Sequence, residues 1–288
     1  MLAVGHEPMA SSGPNDAFHH IWKGNFSHQK GPTNSLKLLD WNIERGLRQQ
    51  GIAGAFEREK PDICLLQEVD LNAHRSQRRN LAEELARKFQ WNYVFGVEFQ
   101  ELSQGSPSSP AYHGQAILTT LPIRAPRILR FAHQSDYWKP RWYLPNRPIF
   151  QRREGGRMAL VAELEVGEGL LVVYNAHLES RDTEQLRLLQ LEEILADAAR
   201  YPPDIPIVLA GDLNTKSRPS PLIRRLQEAG FQDAVGLASV PTKAASGSRD
   251  WVFVRGPVLA EGGKVHQEIL ASDHYPLSVR LSLIIARP

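Results

Sequence analysis

From residue 36 onward, short apolar runs alternate with stretches whose apolar residues are spaced three or four apart. The short runs predict β-strands, and the wider spacing predicts amphipathic helices. The predicted strands cover residues 36–41, 63–67, 115–120, 158–165, 170–175, 206–211, 251–254 and 277–285. The predicted helices cover residues 80–89, 183–200 and 219–228.

The region 158–174 predicts two antiparallel strands joined by the tight turn Val166-Gly167-Glu168-Gly169. The helix at 183–200 is the clearest of the three, and Thr183 can cap its start. One face of this helix carries the apolar residues Leu188, Leu191, Ile194, Leu195 and Ala198. Hairpins combined with interspersed helices predict mixed sheets covered by helices, not a doubly wound parallel sheet.

No repeat of fixed period is present, so residues 35–288 are expected to form one domain. Residues 1–34 are rich in Gly, Pro, Ser, Asn and His, which predicts an extended N-terminal arm. Residues 101–112 have the composition of a flexible loop. In residues 132–155, aromatic side chains such as Trp138 alternate with basic ones such as Arg141. This segment either binds a base and phosphates or is a surface loop anchored by its aromatic residues.

The composition is that of an ordinary globular protein, with 42% hydrophobic and 23% charged residues in a chain of 288. A formal net charge of +2 is too small to indicate nucleic-acid binding by itself. The single cysteine, Cys64, excludes an intrachain disulfide and is expected to be a core residue. No signal peptide or long apolar stretch is visible, so we expect a cytoplasmic protein without membrane insertion.

Polar residues with metal-binding or acid–base chemistry follow several of the apolar runs. They are Asn42, Glu68, the pair Asn175 and His177, the pair Asp212 and Asn214, and the C-terminal Ser272-Asp273-His274. Strands that end in such residues can direct oxygen ligands and imidazoles toward one sheet edge, a combination suited to a divalent metal and a phosphate. Taken singly, Glu68 is better explained as a surface residue on a loop, and Asn42 can simply cap a turn. A lone histidine is more often a structural hydrogen-bonding group than a catalytic one.

Two pairs of these polar residues indicate how the site could work chemically. Asp212 and Asn214 are two residues apart and in extended geometry face one pocket, where they can align or deprotonate a water molecule. Asp250 can orient His274 and favour its imidazolium form, provided that the two residues meet in the fold. The sequence contains no Gly-x-Ser-x-Gly elbow, Walker loop, HExxH or CxxC motif that would indicate a competing chemistry.

The ordered motifs resemble those of the endonuclease/exonuclease/phosphatase superfamily, the deoxyribonuclease I-like phosphoesterases. The motifs are Asp-Trp-Asn-Ile-Glu-Arg-Gly (40–46), Leu-Gln-Glu-Val (66–69), Gly-Gln-Ala-Ile-Leu (114–118), Asn-Ala-His-Leu-Glu-Ser (175–180), Gly-Asp-Leu-Asn (211–214), Asp-Trp-Val (250–252) and Ser-Asp-His (272–274). The resemblance implies an α/β fold, a four-layer sandwich of two mixed sheets with helices outside. It also implies an active site at one end of the sandwich and a Mg²⁺ cofactor that Mn²⁺ can replace.

The resemblance also assigns roles to individual residues. The metal ligands it implies are Glu68 with Asn42 beside it, and Asp273 near the metal. The catalytic residues it implies are His177 at the scissile phosphate, Asp212 and Asn214 at the attacking water, and the pair Asp250 and His274. Whether Asp212 or His274 takes the proton of the water stays open. The expected substrate contacts are Asn175, Gln115 and Lys216, together with Trp138 and Arg141 of the aromatic-basic segment.

The substrate is less well defined than the chemistry. The motif at 175–180 and the residues Glu184-Gln185-Leu186-Arg187 after it resemble the tyrosyl-DNA phosphodiesterase 2 and sphingomyelinase-like branches. Lys216, however, stands where the first of these branches has arginine. We expect a monomeric phosphodiesterase acting on nucleic acid or a nucleotide-like ester. The alternatives are a phospholipid or sugar-phosphate phosphoesterase and, third, a non-catalytic binding module.

Overall fold

A computed structural model describes residues 17–28, 35–145, 147–150, 152–181, 183–215, 220–236, 240–243, 247 and 249–284. Its helices are α1 (Gln49–Glu59), α2 (Leu81–Phe89), α3 (Glu184–Ala198) and α4 (Pro221–Glu228). Its strands are β1 (Ile21–Gly24), β2 (Ser35–Asn42), β3 (Ile63–Leu71), β4 (Asn92–Glu101), β5 (Tyr112–Thr119), β6 (Ile123–Arg130), β7 (Arg153–Gly155), β8 (Met158–Val166), β9 (Gly169–His177), β10 (Ile207–Asp212), β11 (Gln232–Asp233), β12 (Asp250–Arg255), β13 (Val258–Val265) and β14 (Leu277–Leu283).

The strands form two mixed sheets. The larger sheet has the order β1-β4-β5-β3-β2-β14-β13, with β7 paired to β4. The smaller sheet has the order β11-β12-β10-β9-β8-β6. Each sheet contains one parallel pair, β2 with β3 and β9 with β10, and the crossovers between these strands carry α1 and α3. The other pairings are antiparallel, as the hairpins in the sequence predict.

The side chains of β2 point alternately into two different cores, which shows how the layers of the sandwich arise. Leu36 and Leu38 point into the large core that the two sheets share, whereas Leu39 and Trp41 point into a second core with residues of α1 and α2. Successive side chains of a strand face opposite sides of its sheet, so a strand buried on both sides becomes a continuous apolar run. Leu191 and Ile194 of α3 pack into the large core from the smaller sheet's side. The result is the predicted four-layer sandwich, with helices outside two facing sheets.

Several local predictions are confirmed. The predicted hairpin is formed by β8 and β9, with Val166 paired to Gly169 across the turn. The side chain of Thr183 accepts a hydrogen bond from the backbone N–H of Leu186 and caps α3. Cys64 is fully buried. The segment expected to be a flexible loop is shorter than predicted, because Glu101 and Tyr112 already belong to β4 and β5.

Part of the predicted N-terminal arm is ordered as an edge strand, since Ile21–Gly24 pairs with β4. Residues 1–16 and 29–34 of that arm lie outside the described residues, as does Lys216. Within the described part of the chain, no helix is both long and apolar enough to cross a membrane.

Gly211 permits the close approach of β9 and β10 just before the strands end. Its φ is +136°, and a Cβ atom there would lie 1.9 Å from the carbonyl oxygen of Ala176, which is its partner residue in β9. Both the backbone conformation and the contact therefore require glycine.

We expect Gly211→Ala to lower the free energy of unfolding by about 3 kcal/mol, because the strained φ and the clash with β9 act together. Chemical denaturation measures this change. Gly54→Ala is the matched control, since an added Cβ on Gly54 in the exposed part of α1 meets nothing within 4 Å. A Gly211→Ala protein as stable as the Gly54→Ala protein would contradict the close approach of β9 and β10.

Candidate active site

The ends of both parallel strand pairs bring their polar residues together at one end of the sandwich. In the larger sheet, Asn42 ends β2 beside Gln67 of β3, and in the smaller sheet Asp212 ends β10 beside His177 of β9. The Asn42 Nδ2 lies 3.3 Å from Glu68 Oε1 and 3.2 Å from Asp212 Oδ2. Asn42 therefore connects carboxylates from the two sheets.

Glu68 is directed into the site by an irregularity in β3. The register between β3 and β5 shifts between Leu66 and Val69, and Glu68 in that gap has a φ of 54°. A bulge of this kind interrupts the regular alternation of side chains and redirects one of them. A left-handed conformation at a glutamate is costly, and such conformations are concentrated at functional sites.

Glu68 and Asp212 are both held in their ionised forms. Burial alone raises the pKa of Glu68, but the charges of His113, His177 and Arg45 outweigh it, so the pKa lies well below its usual range. Burial likewise raises the pKa of Asp212, but the charges of His274 and His177 lower it below the ordinary value. A half-buried and a buried negative side chain thus lie close together, on opposite sides of the Asn42 amide.

A divalent cation fits this arrangement. Mg²⁺ prefers one or two carboxylate ligands and leaves its remaining positions to water and substrate. Glu68 and Asn42 supply such ligands, although the Asn42 amide must turn its oxygen, now bonded to the Glu44 N–H, toward the cation. Asp212, Asp250 and His274 form another group whose ligand atoms lie within 4.8 Å of one another. Because Asp250 and His274 are already hydrogen-bonded to each other, we favour Glu68 and Asn42 over this second group as the candidate metal ligands.

Asp250 and His274 meet in the fold, which is the condition under which the sequence predicts that Asp250 orients His274. His274 Nδ1 lies 2.9 and 2.8 Å from the two carboxylate oxygens of Asp250, and the Thr242 hydroxyl donates to Asp250 Oδ2 at 2.6 Å. The other ring nitrogen, Nε2, lies 3.7 Å from Asp212 Oδ2. Burial lowers the pKa of His274, but the charges of Asp250 and Asp212 outweigh it and raise the pKa to about 9.

His177 has an acidic partner that the sequence did not reveal. Its Nδ1 lies 3.5 Å from Glu98 Oε2 and its Nε2 lies 3.8 Å from Asp212 Oδ2. Glu98 also accepts hydrogen bonds from Arg157 at 3.1 Å and from Gln115 at 2.8 Å. Burial raises the pKa of Glu98, but the charges of His177 and Arg157 lower it to about 2. Glu98 lies in the middle of β4, where no motif distinguishes it.

Asn214 lies two residues after the end of β10, with a φ of 50°. Its backbone N–H donates to Asp212 Oδ1 at 3.0 Å and its Nδ2 donates to the Leu178 carbonyl at 3.1 Å. Its Oδ1 accepts a hydrogen bond from Arg249, a second residue that the sequence did not single out. These bonds leave Asp212 Oδ2 as the oxygen that faces the imidazoles.

A model of the Endonuclease/Exonuclease/phosphatase family matches residues 41–274. The chain belongs to this family. A family structure from Beutenbergia cavernae is similar, with a TM-score of 0.64, 21% identity, and coverage of 88% of this chain and 74% of that chain. The human Nocturnin catalytic domain with bound sulfate has a TM-score of 0.65, 16% identity, and coverage of 92% and 97%.

Truncated TDP2 from Caenorhabditis elegans is also similar, with a TM-score of 0.57, 18% identity, and coverage of 88% of this chain and all (100%) of that chain. At these identities the solved structures show the fold alone. The family membership supports a phosphoesterase. No match was found among curated proteins.

Two of the substrate contacts expected from the family resemblance need correction. Asn175 is fully buried and all its polar atoms are used, because it accepts from Gln67 at 2.7 Å and donates to the carbonyls of Leu66 and Ala116. Gln115 is also buried, and it donates to Glu98 and to the Met158 carbonyl. Both amide side chains are therefore fully buried beneath the site and have no exposed surface that a substrate could contact.

The aromatic-basic segment divides into an anchor and an exposed part. Trp138 is only 8% exposed, and its Nε1 donates to Glu179 at 2.8 Å, so for this residue the anchored-loop alternative is correct. Arg141 is exposed. Asp273, expected near the metal, has a side chain that is 43% exposed and pairs with Lys243 at 2.5 Å. It lies beside His274 rather than among the buried carboxylates.

Asp250→Asn is expected to lower the pKa of His274 from about 9 toward or below its ordinary value of 6.5, because the largest favourable charge is removed. Titration of the histidine ring signals by NMR in metal-free protein measures this shift. The native pair contributes stability that is fully present below pH 6.5 and is lost as the pH rises through about 9. The exposed Asp204→Asn is the control. An unchanged His274 titration in Asp250→Asn would exclude the proposed coupling.

Proposed function

We propose that this chain is a Mg²⁺-dependent phosphodiesterase, with Mn²⁺ as a substitute, that hydrolyses nucleic acid or a nucleotide-like ester by in-line attack of water. One observation carries the proposal. Two ionised carboxylates from different sheets, the half-buried Glu68 and the buried Asp212, converge beside two imidazoles, and each imidazole has a further carboxylate partner. This pattern supplies a place for a cation and a place for an anion within one pocket.

Glu68 and Asn42 would hold the metal, which when bound neutralises charge on the phosphate oxygens and positions the ester. The substrate phosphate would contact His177 and His274. Because the raised pKa keeps His274 protonated near neutral pH, its role is that of a cation that stabilises the developing negative charge. His177 would be held against the phosphate by Glu98.

Asp212 is the better candidate for the group that receives the proton of the water. Its lowered pKa keeps it ionised, and the Asn214 N–H fixes one of its oxygens so that Oδ2 faces the pocket. The water oxygen forms a new bond to phosphorus while the bond from phosphorus to the leaving oxygen breaks. Asn214, itself held by Arg249, would keep Asp212 in position during this step.

A second candidate substrate is a phospholipid. It is favoured by Trp142 and Ile149, whose side chains are 90% and 82% exposed in the aromatic-basic segment. Exposed apolar side chains of this size mark interaction surfaces, including membrane-binding ones. The nucleotide candidate is preferred because the same segment also carries several cations and a cleft of small-molecule size.

With Mg²⁺ or Mn²⁺, the protein should hydrolyse bis(p-nitrophenyl) phosphate and lose this activity in EDTA. Asp212→Asn should lower kcat by roughly 10²–10⁴-fold, since it removes the proton acceptor. Glu68→Gln should raise the metal concentration needed for half-maximal rate, because it removes one charge from the metal site. The exposed Asp204→Asn, measured in parallel, should retain the full rate. Normal rates in both Asp212→Asn and Glu68→Gln would refute the proposal.

A further inference from the structure

A cleft of about 240 Å³ lies under the aromatic-basic segment. Five of the side chains that line it are cationic and, among the described residues, no acidic side chain lines it. The cations are Lys139, Arg141, Arg152, Arg153 and Arg181. Charges of one sign on the walls of a concave site raise the local concentration of the opposite charge. The cleft is therefore suited to an anion.

Arg153 is paired with the buried Glu101 but keeps a guanidinium nitrogen without an acceptor. It is 5% exposed and lies 5.0 Å from the ring centres of both Phe99 and Trp138. Its Nη2 lies 2.5 Å from Glu101 without hydrogen-bond geometry, and its Nε has no acceptor. The buried Nε of Arg152 also has no acceptor. Buried polar groups are normally paired, so the two guanidinium groups that line the cleft have hydrogen-bonding capacity that the described residues do not satisfy.

The rest of the cleft wall is apolar and includes aromatic rings. It consists of Tyr137, Trp138, Pro140, Leu144, Ile149 and Phe150. Phe150 is 41% exposed and Tyr137 is 47% exposed, with the guanidinium of Arg181 lying 5.3 Å from the Tyr137 ring centre. Aromatic rings next to guanidinium groups bind planar rings that carry phosphate, because stacking and ion pairing act together.

The cleft adjoins the candidate active site through a short chain of contacts. The Trp138 ring lies 5.4 Å from the guanidinium of Arg157, Arg157 donates to Glu98, and Glu98 faces His177. The Trp138 Nε1 also donates a hydrogen bond to Glu179, which lies two residues after His177 in the sequence. The cleft wall is therefore connected by side-chain contacts to the groups that surround His177.

We propose, resting on the phosphodiesterase function above, that the cleft binds one nucleoside phosphate unit next to the scissile bond. Its phosphate would pair with the arginines, and its base would pack against Tyr137 and Phe150. A cleft of about 240 Å³ accommodates at most one such unit and not a stacked duplex. The occupant is a free nucleotide ester or the unpaired end of a strand, since both present the same chemistry.

The test measures binding separately from hydrolysis. AMP and a 5′-phosphorylated oligothymidylate are titrated in EDTA against the intact protein, with tryptophan fluorescence as the signal. Arg141→Ala and Phe150→Ala should each weaken AMP binding on the order of tenfold, which is the size of effect seen for lost stacking or pairing. Arg224→Ala, an exposed arginine on α4, is the control and should bind like the native chain. Tight binding of the oligonucleotide with weak binding of AMP would identify the occupant of the cleft as a strand end. Tight binding of AMP with weak binding of the oligonucleotide would identify it as a free nucleotide.

Other outcomes overturn the inference. Inorganic phosphate binding as tightly as AMP would show a site for an anion without a base. Binding to phosphatidylserine vesicles through Arg141 and Phe150, with neither nucleotide ligand bound, would show a membrane surface instead. Asp212→Asn separates the two proposals, because it should lower the rate of hydrolysis by roughly 10²–10⁴-fold while AMP binding persists. AMP binding without any hydrolysis by the native chain would refute the enzyme function and leave the cleft assignment standing.

Discussion

Buried amide side chains join the two sheets directly beneath the candidate active site, and the position of every group above them depends on this contact. Gln67 of the larger sheet donates to Asp40 at 2.8 Å and to Asn175 of the smaller sheet at 2.7 Å. Asn175 donates back to the carbonyls of Leu66 and Ala116. One such bond contributes only about 1 kcal/mol, but an unpaired buried amide costs more, so a shifted packing of the sheets is disfavoured.

This contact explains how a site can be built from strands of separate sheets. Glu68 belongs to the larger sheet and Asp212 to the smaller, and the Asn42 amide lies within 3.3 Å of both. The site accepts unfavourable local features to achieve this. Glu68 and Asn214 have left-handed backbone conformations, and the ionised carboxylate of the half-buried Glu68 lies near that of the buried Asp212. Features that lower the stability of the fold in this way are concentrated at functional sites.

The sequence predicted most of the strands and the ends from which the polar residues project. These strands are buried on both faces and therefore form continuous apolar runs, as in β3 and β10. It did not predict β4, whose interior carries Glu98, or α1, whose buried face contains only two large apolar residues, Ile52 and Phe56, beside two alanines. Motif spacing identified residues near the ends of strands. The partners that come from elsewhere in the fold, such as Glu98 and Arg249, depend on tertiary packing that no local pattern records. For the same reason Asn175 was expected to contact substrate, although it joins the sheets instead.

The central claim is that the junction of the two sheets holds one divalent cation beside Glu68. Calorimetric titration with Mn²⁺ tests it most directly, with the native chain, Glu68→Gln and the exposed Glu261→Gln compared at one pH. We predict one Mn²⁺ per chain, with affinity lowered by about tenfold or more in Glu68→Gln and unchanged in Glu261→Gln. Equal Mn²⁺ affinity in all three proteins would contradict the account.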